Sequence, residues 1–219
     1  MSNRLVIGTK RYSSWSLRGW LAVRLAGLDV AEEVVRLAGG GQTTALRAIS
    51  PNGLVPYLEH DGARVWESLA ICDYCAEIAP GLWPEDRIAR AMARSVAAQM
   101  HAGFAALRRA LPMNEGRIGR ARATPLDDAA VSDIAAVVAL WDDCLSRSSG
   151  PFLFGAQFTV PDIMFAPVVF RFRSYDVALS GKAAVYRDAV LAHPLMRQWH
   201  AEALAEPAEW HLEHYETLD

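Results

Sequence analysis

The sequence predicts an α+β amino-terminal half of order βαβ–ββα, followed by an all-α carboxy-terminal half. Three observations carry this reading. Short valine-rich apolar runs and an Asp61-Gly62 hairpin signal are confined to residues 1–80. Pro80, Gly81 and Pro84 then interrupt every pattern. Beyond them, apolar residues recur at spacings of three and four in alanine-rich sequence. The implied division is a first domain over 1–80, a linker over 81–88 and a helical domain over 89–219.

Leu5-Val6-Ile7-Gly8 is a compact apolar run and reads as a buried strand. Tyr12-Ser13-Ser14-Trp15-Ser16 follows as a loop entering a helix, which runs from about Ser16 to Ala26 and stops at Gly27. Val30 to Leu37 reads as a second strand, Gly39-Gly40-Gly41 as a flexible loop, and Thr44 to Ile49 as a short helix. Val55 to His60 and Arg64 to Glu67 form the hairpin, and Ser68 opens a helix reaching about Ala79. In the second half, Ile88, Met92, Val96, Met100, Phe104, Leu107 and Leu111 fall on one helical stripe. Val131, Ile134, Val138, Trp141 and Leu145 form another, and the glycine- and arginine-rich stretch from Pro112 to Pro125 between them reads as a mobile loop. Thr159 caps a further helix, with Asp162 in capping-box position and Pro167 inside it. Two more helices fit Lys182 to Ala192 and Pro194 to Ala205.

Composition excludes several classes of function. The 219 residues include 22 Lys plus Arg against 25 Asp plus Glu, so bulk charge gives no reason to expect nucleic acid. No apolar run approaches the roughly 20 residues of a membrane helix. Met1 to Lys10 shows no secretory leader pattern, and three cysteines, Cys72, Cys75 and Cys144, do not make a disulfide scaffold. The expectation is a cytoplasmic protein without a metal.

Four motifs stand in a fixed order: Tyr-Ser-Ser-Trp-Ser-Leu-Arg at 12–18, Asn-Gly-Leu-Val-Pro at 52–56, Glu-Ser-Leu-Ala-Ile at 67–71, and Gly155 followed by Thr159 and Asp162. With the βαβ–ββα plus all-helical order, the chain resembles the cytosolic glutathione transferase superfamily over nearly its whole length. The paired serines and Gly-Gly-Gly-Gln at 39–42 resemble its serine-type, zeta-like bacterial members. The zeta-type Ser-Ser-Cys reads Ser13-Ser14-Trp15 here. The resemblance implies a thioredoxin-like first domain, glutathione as co-substrate, a small electrophile as second substrate, and a homodimer.

Such an enzyme must supply a thiolate at neutral pH. Lowering a thiol pKa from about 8.5 to about 7 takes roughly 2 kcal/mol. One hydrogen bond to a charged group contributes roughly 1.5–3 kcal/mol, and a helix N-terminus adds roughly 0.3–1 kcal/mol. A hydroxyl at the mouth of the first helix is therefore sufficient. Ser13, five residues before Arg18, matches the family's activating serine, with Ser14 the competing candidate and Tyr12 a weaker one. Serine is equally a preferred helix cap.

The resemblance makes Val55-Pro56 a cis-proline step whose main chain pairs with the cysteinyl unit. It gives Glu67 the γ-glutamyl ammonium, Ser68 the α-carboxylate at a helix N-terminus, and Gln42 a further contact to the tripeptide. Met100, His101, Phe104 and Arg108 are candidates for the second-substrate pocket, with Met113 and Asn114 beyond. Arg171 and Arg173 stand out in an apolar helix, and Arg173 is the nearer to the position, Ser174, where zeta-like members meet a carboxylate substrate. Three activities follow: conjugation of glutathione, glutathione-dependent cis–trans isomerisation of small dicarboxylates, or glutathione binding without chemistry. Cys72-Asp73-Tyr74-Cys75 has redox spacing, but its place in a later apolar helix reads as packing, and His211 to His214 reads as a polar tail.

Overall fold

A computed structural model describes residues 3–219. The first half holds four strands, β1 (Arg4–Gly8), β2 (Ala31–Val35), β3 (Tyr57–His60) and β4 (Ala63–Trp66), with helices α1 (Ser14–Leu25) and α2 (Ser68–Ile78). Sheet order is β2-β1-β3-β4. β1 runs parallel to β2 and antiparallel to β3, and β3 is antiparallel to β4. The fold is thus a thioredoxin-like βαβ–ββα unit. Leu5, Val6 and Ile7 are all buried, as a central strand requires. Asp61 and Gly62 both take positive φ, the geometry of a two-residue hairpin turn.

The second half is helical: α3 (Arg87–Ala102), α4 (Ala105–Ala110), α5 (Asp128–Arg147), α6 (Val160–Ser174), α7 (Gly181–Ala192), α8 (Pro194–Leu204) and a single turn, α9 (Glu213–Glu216). Asp86 starts α3 by accepting the Ile88 and Ala89 amides at 3.0 and 2.8 Å. Thr159 and Asp162 form the capping box of α6, and Asp162 also accepts the Leu153 amide at 3.0 Å. Helix α6 is buried along nearly its whole length and is the axis of this half. It meets α1 directly, and the Arg18 Nε donates to the Met164 carbonyl at 3.0 Å. One apolar core runs through both halves. Within it, each wholly buried side chain such as Leu17 or Ile71 contributes about 1.5–3 kcal/mol.

Four details depart from the expectations above. The stripe from Ile88 to Leu111 is not one helix: α3 ends at Ala102, Gly103 is extended and Phe104 is left-handed, so α4 starts in a new direction. Ile88 is exposed, because the core takes Ala93, Val96, Ala97 and Met100 instead. On α5 the inward face is Ala130, Val137, Trp141 and Cys144, and Val131 faces solvent. The stretch 112–125 is anchored: Asn114, Glu115 and Arg117 are buried in it, and Arg117 donates to the Leu218 carbonyl at 2.6 Å.

Candidate functional site

A cleft of about 630 Å³ lies between the two halves, at the amino-terminal end of α1. Its base follows from local chemistry. Ser13 is the N-cap of α1 and accepts the Ser16 amide at 3.3 Å. Its Oγ lies 2.7 Å from the Ser16 Oγ, which in turn accepts the Gly8 amide at 2.8 Å. These bonds pin the helix start to the end of β1. Ser14, the first residue of the helix, also lines the cleft, and its Oγ accepts a hydrogen bond from Arg171 Nη2 at 3.2 Å.

Tyr12 is otherwise engaged. Its hydroxyl donates to Glu216 at 2.5 Å and accepts the Leu212 amide at 3.0 Å. Burial and the Glu216 hydrogen bond push its pKa up to about 12. Its phenol is therefore a poor source of charge stabilisation for a second anion.

One wall is the Val55-Pro56 step, which is cis. Gly19 lets α1 close on it, since a Cβ there would lie 2.7 Å from the Pro56 ring. Glu67 sits at the β4–α2 junction with φ 70°, an uncommon conformation for a non-glycine residue. Its carboxylate accepts from Asn52 at 3.3 Å and stands 3.9 Å from His101 Nε2. Ser68 is buried at the first turn of α2, and its hydroxyl has no partner among the described residues. It does not line the cleft itself.

The opposite wall carries cations. Trp15 is flanked by Arg18 at 4.4 Å and Arg108 at 5.5 Å from its ring centre, with His101 packed edge-on at 5.3 Å. Arg108, His101 and Arg171 line the cleft. Burial lowers Arg18 to about 9 and Arg171 to about 10, so both stay charged at neutral pH, whereas burial lowers His101 and keeps it neutral there. Among the described residues, Arg18, Arg108 and Arg171 have no carboxylate within ion-pair distance. A buried cation without a counter-ion is costly, so Arg108 and Arg171, the two of these that line the cleft, can attract an anion into it.

Several candidates from the sequence lie elsewhere. Met100 is wholly buried in the core, and Phe104 packs on Phe165 at 6.3 Å because its left-handed backbone turns the chain there. Arg173 points away from the cleft, bonding Glu115 at 2.8 Å and lying 3.3 Å from His200. Gln42 is exposed and outside the wall, which the Gly39-Gly40-Gly41 backbone forms instead in left-handed conformations. The tail was missed altogether: Leu212 and Tyr215 line the cleft. Only their apolar character in a polar tail signalled this. Cys72 and Cys75 are buried in α2 with thiol pKa values raised by burial, so neither is a nucleophile. No group of three or more His, Cys, Asp or Glu among the described residues gathers as a metal site.

Two family models match the chain: the glutathione S-transferase N-terminal domain over residues 12–78 and the C-terminal domain over 85–202. The chain belongs to the glutathione S-transferase family. It is similar to maleylacetoacetate isomerase of Rhizobium meliloti (strain 1021), at 31% identity over 82% of this chain and 87% of that one. A probable maleylacetoacetate isomerase of Caenorhabditis elegans is 28% identical over 80% of each. Among solved structures, the holo form of a zeta-class bacterial maleyl pyruvate isomerase superposes with TM-score 0.71 at 22% identity, covering 94% of this chain and 99% of that one. A glutathione transferase homologue from Burkholderia gl BGR1 with bound glutathione gives 0.68 at 22% identity, covering 94% and 100%. Family and relatives together support a glutathione-dependent enzyme. No helix among its described residues is long and apolar enough to cross a membrane.

Proposed function

We propose that this transferase binds glutathione with its sulfur at the mouth of α1 and directs the thiolate at a small electrophile bearing a carboxylate. The Val55 main chain beside the cis-proline takes the cysteinyl unit, and Glu67 takes the γ-glutamyl ammonium. The N-terminus of α2, which Ser68 opens behind the cleft-lining Glu67, favours the α-carboxylate. Glutathione supplies the nucleophilic sulfur, and its proton leaves to water.

Ser14 is the principal hydroxyl donor in this reading. Ser13 already answers both the amide and the hydroxyl of Ser16. Ser14 receives a hydrogen bond from a cation, which leaves its own proton for the thiolate and polarises it. The electrophile lies against Trp15, with Arg108 toward its carboxylate and neutral His101 as a hydrogen-bond partner. The observation that carries the reading is the set of cleft arginines without carboxylate partners beside two serines at a helix N-terminus.

A second reading has a specific basis in the same cations: cis–trans isomerisation of a small dicarboxylate, and two of the relatives above are named maleylacetoacetate isomerases. There the thiolate adds to the double bond, the new single bond rotates, and elimination returns both trans product and thiolate. Incubation with glutathione and maleylacetoacetate separates the two. Loss of free thiol into a thioether supports conjugation, and trans product with constant total thiol supports isomerisation. Glutathione binding with neither outcome, across a panel of enones and haloarenes, supports a binding protein without chemistry. The homodimer and the cytoplasmic location stay part of this proposal, and light scattering checks the first.

A further inference from the structure

We infer that Arg171, reaching from the helical half to the Ser14 hydroxyl, sets the acidity of the bound thiol as a positioning charge acting through that serine. The inference rests on the glutathione reading above and assigns a role that the sequence motifs do not contain.

The geometry holds one guanidinium in one place. Arg171 Nη1 donates to the Arg108 carbonyl at 3.2 Å and to the Leu111 carbonyl, and Nη2 is left for Ser14 at 3.2 Å. These carbonyls belong to the α4 segment, so the α6 cation is fixed by its own half and presented to the other. The residue is 5% exposed and lines the cleft. The groups facing it are Arg108 from α4, Tyr175 at the end of α6, Tyr215 from α9 and Arg18 from α1. None is a carboxylate. Arg173, two residues on, has the Glu115 carboxylate at 2.8 Å. The contrast is informative: α6 carries two arginines, and only the one turned away from the cleft has a protein counter-ion.

A thiolate beside Ser14 completes the pair for Arg171. The hydroxyl that accepts from the guanidinium becomes a stronger donor to sulfur. The low dielectric of the buried site lets the cation act on that anion with little screening. No base is required, because the thiol proton passes to solvent.

The test is the pKa of glutathione bound to the intact protein, followed by thiolate absorbance. Arg171→Met, which removes the charge and keeps the volume, raises that pKa by at least one unit, and Arg171→Lys restores most of the shift. Ser14→Ala, which leaves the guanidinium anchored by its two carbonyls, raises it as well and serves if Arg171→Met does not fold. A bound-thiol pKa unchanged in the Arg171 variants, while wild type lowers it and Ser14→Ala raises it, overturns the role of Arg171 alone, and a value unchanged in Ser14→Ala as well overturns the serine as its donor and the inference with it. Failure of wild type to bind glutathione, or binding at the solution pKa, overturns the glutathione reading and this inference with it.

Discussion

The Tyr12 hydroxyl donates to the Glu216 carboxylate across 2.5 Å, joining the loop before α1 to the far end of the chain. Arg11 adds two bonds to the same carboxylate at 2.8 and 3.0 Å. The tail is thereby laid along the cleft, and the hydroxyl of the tyrosine beside Ser13 is engaged by it. Tyr12→Phe is expected to leave kcat within about twofold of wild type. Loss of a hydrogen bond to a charged group would cost about 1.5–3 kcal/mol of stability. Steady-state kinetics beside a denaturant melt checks both, and a tenfold fall in kcat would return Tyr12 to the mechanism.

Glu216 gives a pH signature. Its pKa is lowered from 4.5 to about 2, with Arg11 and Tyr12 overcoming the upward push of burial. The folded state therefore binds the proton less readily than the unfolded state. The stabilisation is present above about 4.5 and is lost as pH falls toward 2. Glu216→Gln should flatten this part of the acid limb and free the tail for limited proteolysis near Leu212. An unchanged acid limb would contradict this role of Glu216.

The two serines separate by stability and rate. Ser13→Ala removes a helix cap, costing about 1 kcal/mol, and slows turnover modestly. Ser14→Ala touches no cap but takes the acceptor from the buried Arg171 Nη2, costing about 1.5–3 kcal/mol, and lowers kcat/KM at least tenfold. The reverse ranking in rate would move the thiolate donor to Ser13.

The Arg108 guanidinium lies 5.5 Å over the Trp15 ring where both line the cleft. Trp15→Leu should reduce the preference for a carboxylate electrophile over its methyl ester at least fivefold, and Trp15→Phe should recover most of it. Ethacrynic acid and its methyl ester are a matched pair for this comparison. Equal losses toward both would show that Trp15 contributes bulk only.

Asp162 is wholly buried, and it accepts the Leu153 amide at 3.0 Å, the Thr159 amide at 2.9 Å and the Thr159 hydroxyl at 3.0 Å. Its removal leaves buried donors unsatisfied at a cost of about 1–3 kcal/mol each. Asp162→Ala is expected to destabilise the protein by at least about 3 kcal/mol, read by denaturant unfolding, with glutathione affinity preserved in the molecules that fold. A loss under 1 kcal/mol would show that the α6 start is held by packing alone.

Local signals made much of this legible. Asp61-Gly62 and the Thr159–Asp162 box each fix backbone within a few residues, so their chemistry can be read from the chain, whereas the cis step at Val55-Pro56 was legible only through the family resemblance. The choice between Arg171 and Arg173 was not legible, because α6 is buried all round and has no polar face to orient it. The break at Phe104 was hidden, since Gly103 interrupts an apolar period that continues on either side. The tail was hidden for a different reason: the Tyr12–Glu216 contact spans 204 positions and leaves no periodic trace.

The central claim is that the cleft stabilises a glutathione thiolate. Titrating the wild-type protein with glutathione across pH, and following thiolate absorbance, tests it most directly. The account predicts saturable binding with the bound thiol ionising at least one unit below its value in solution. Binding without a shift in ionisation, or no binding, would contradict it.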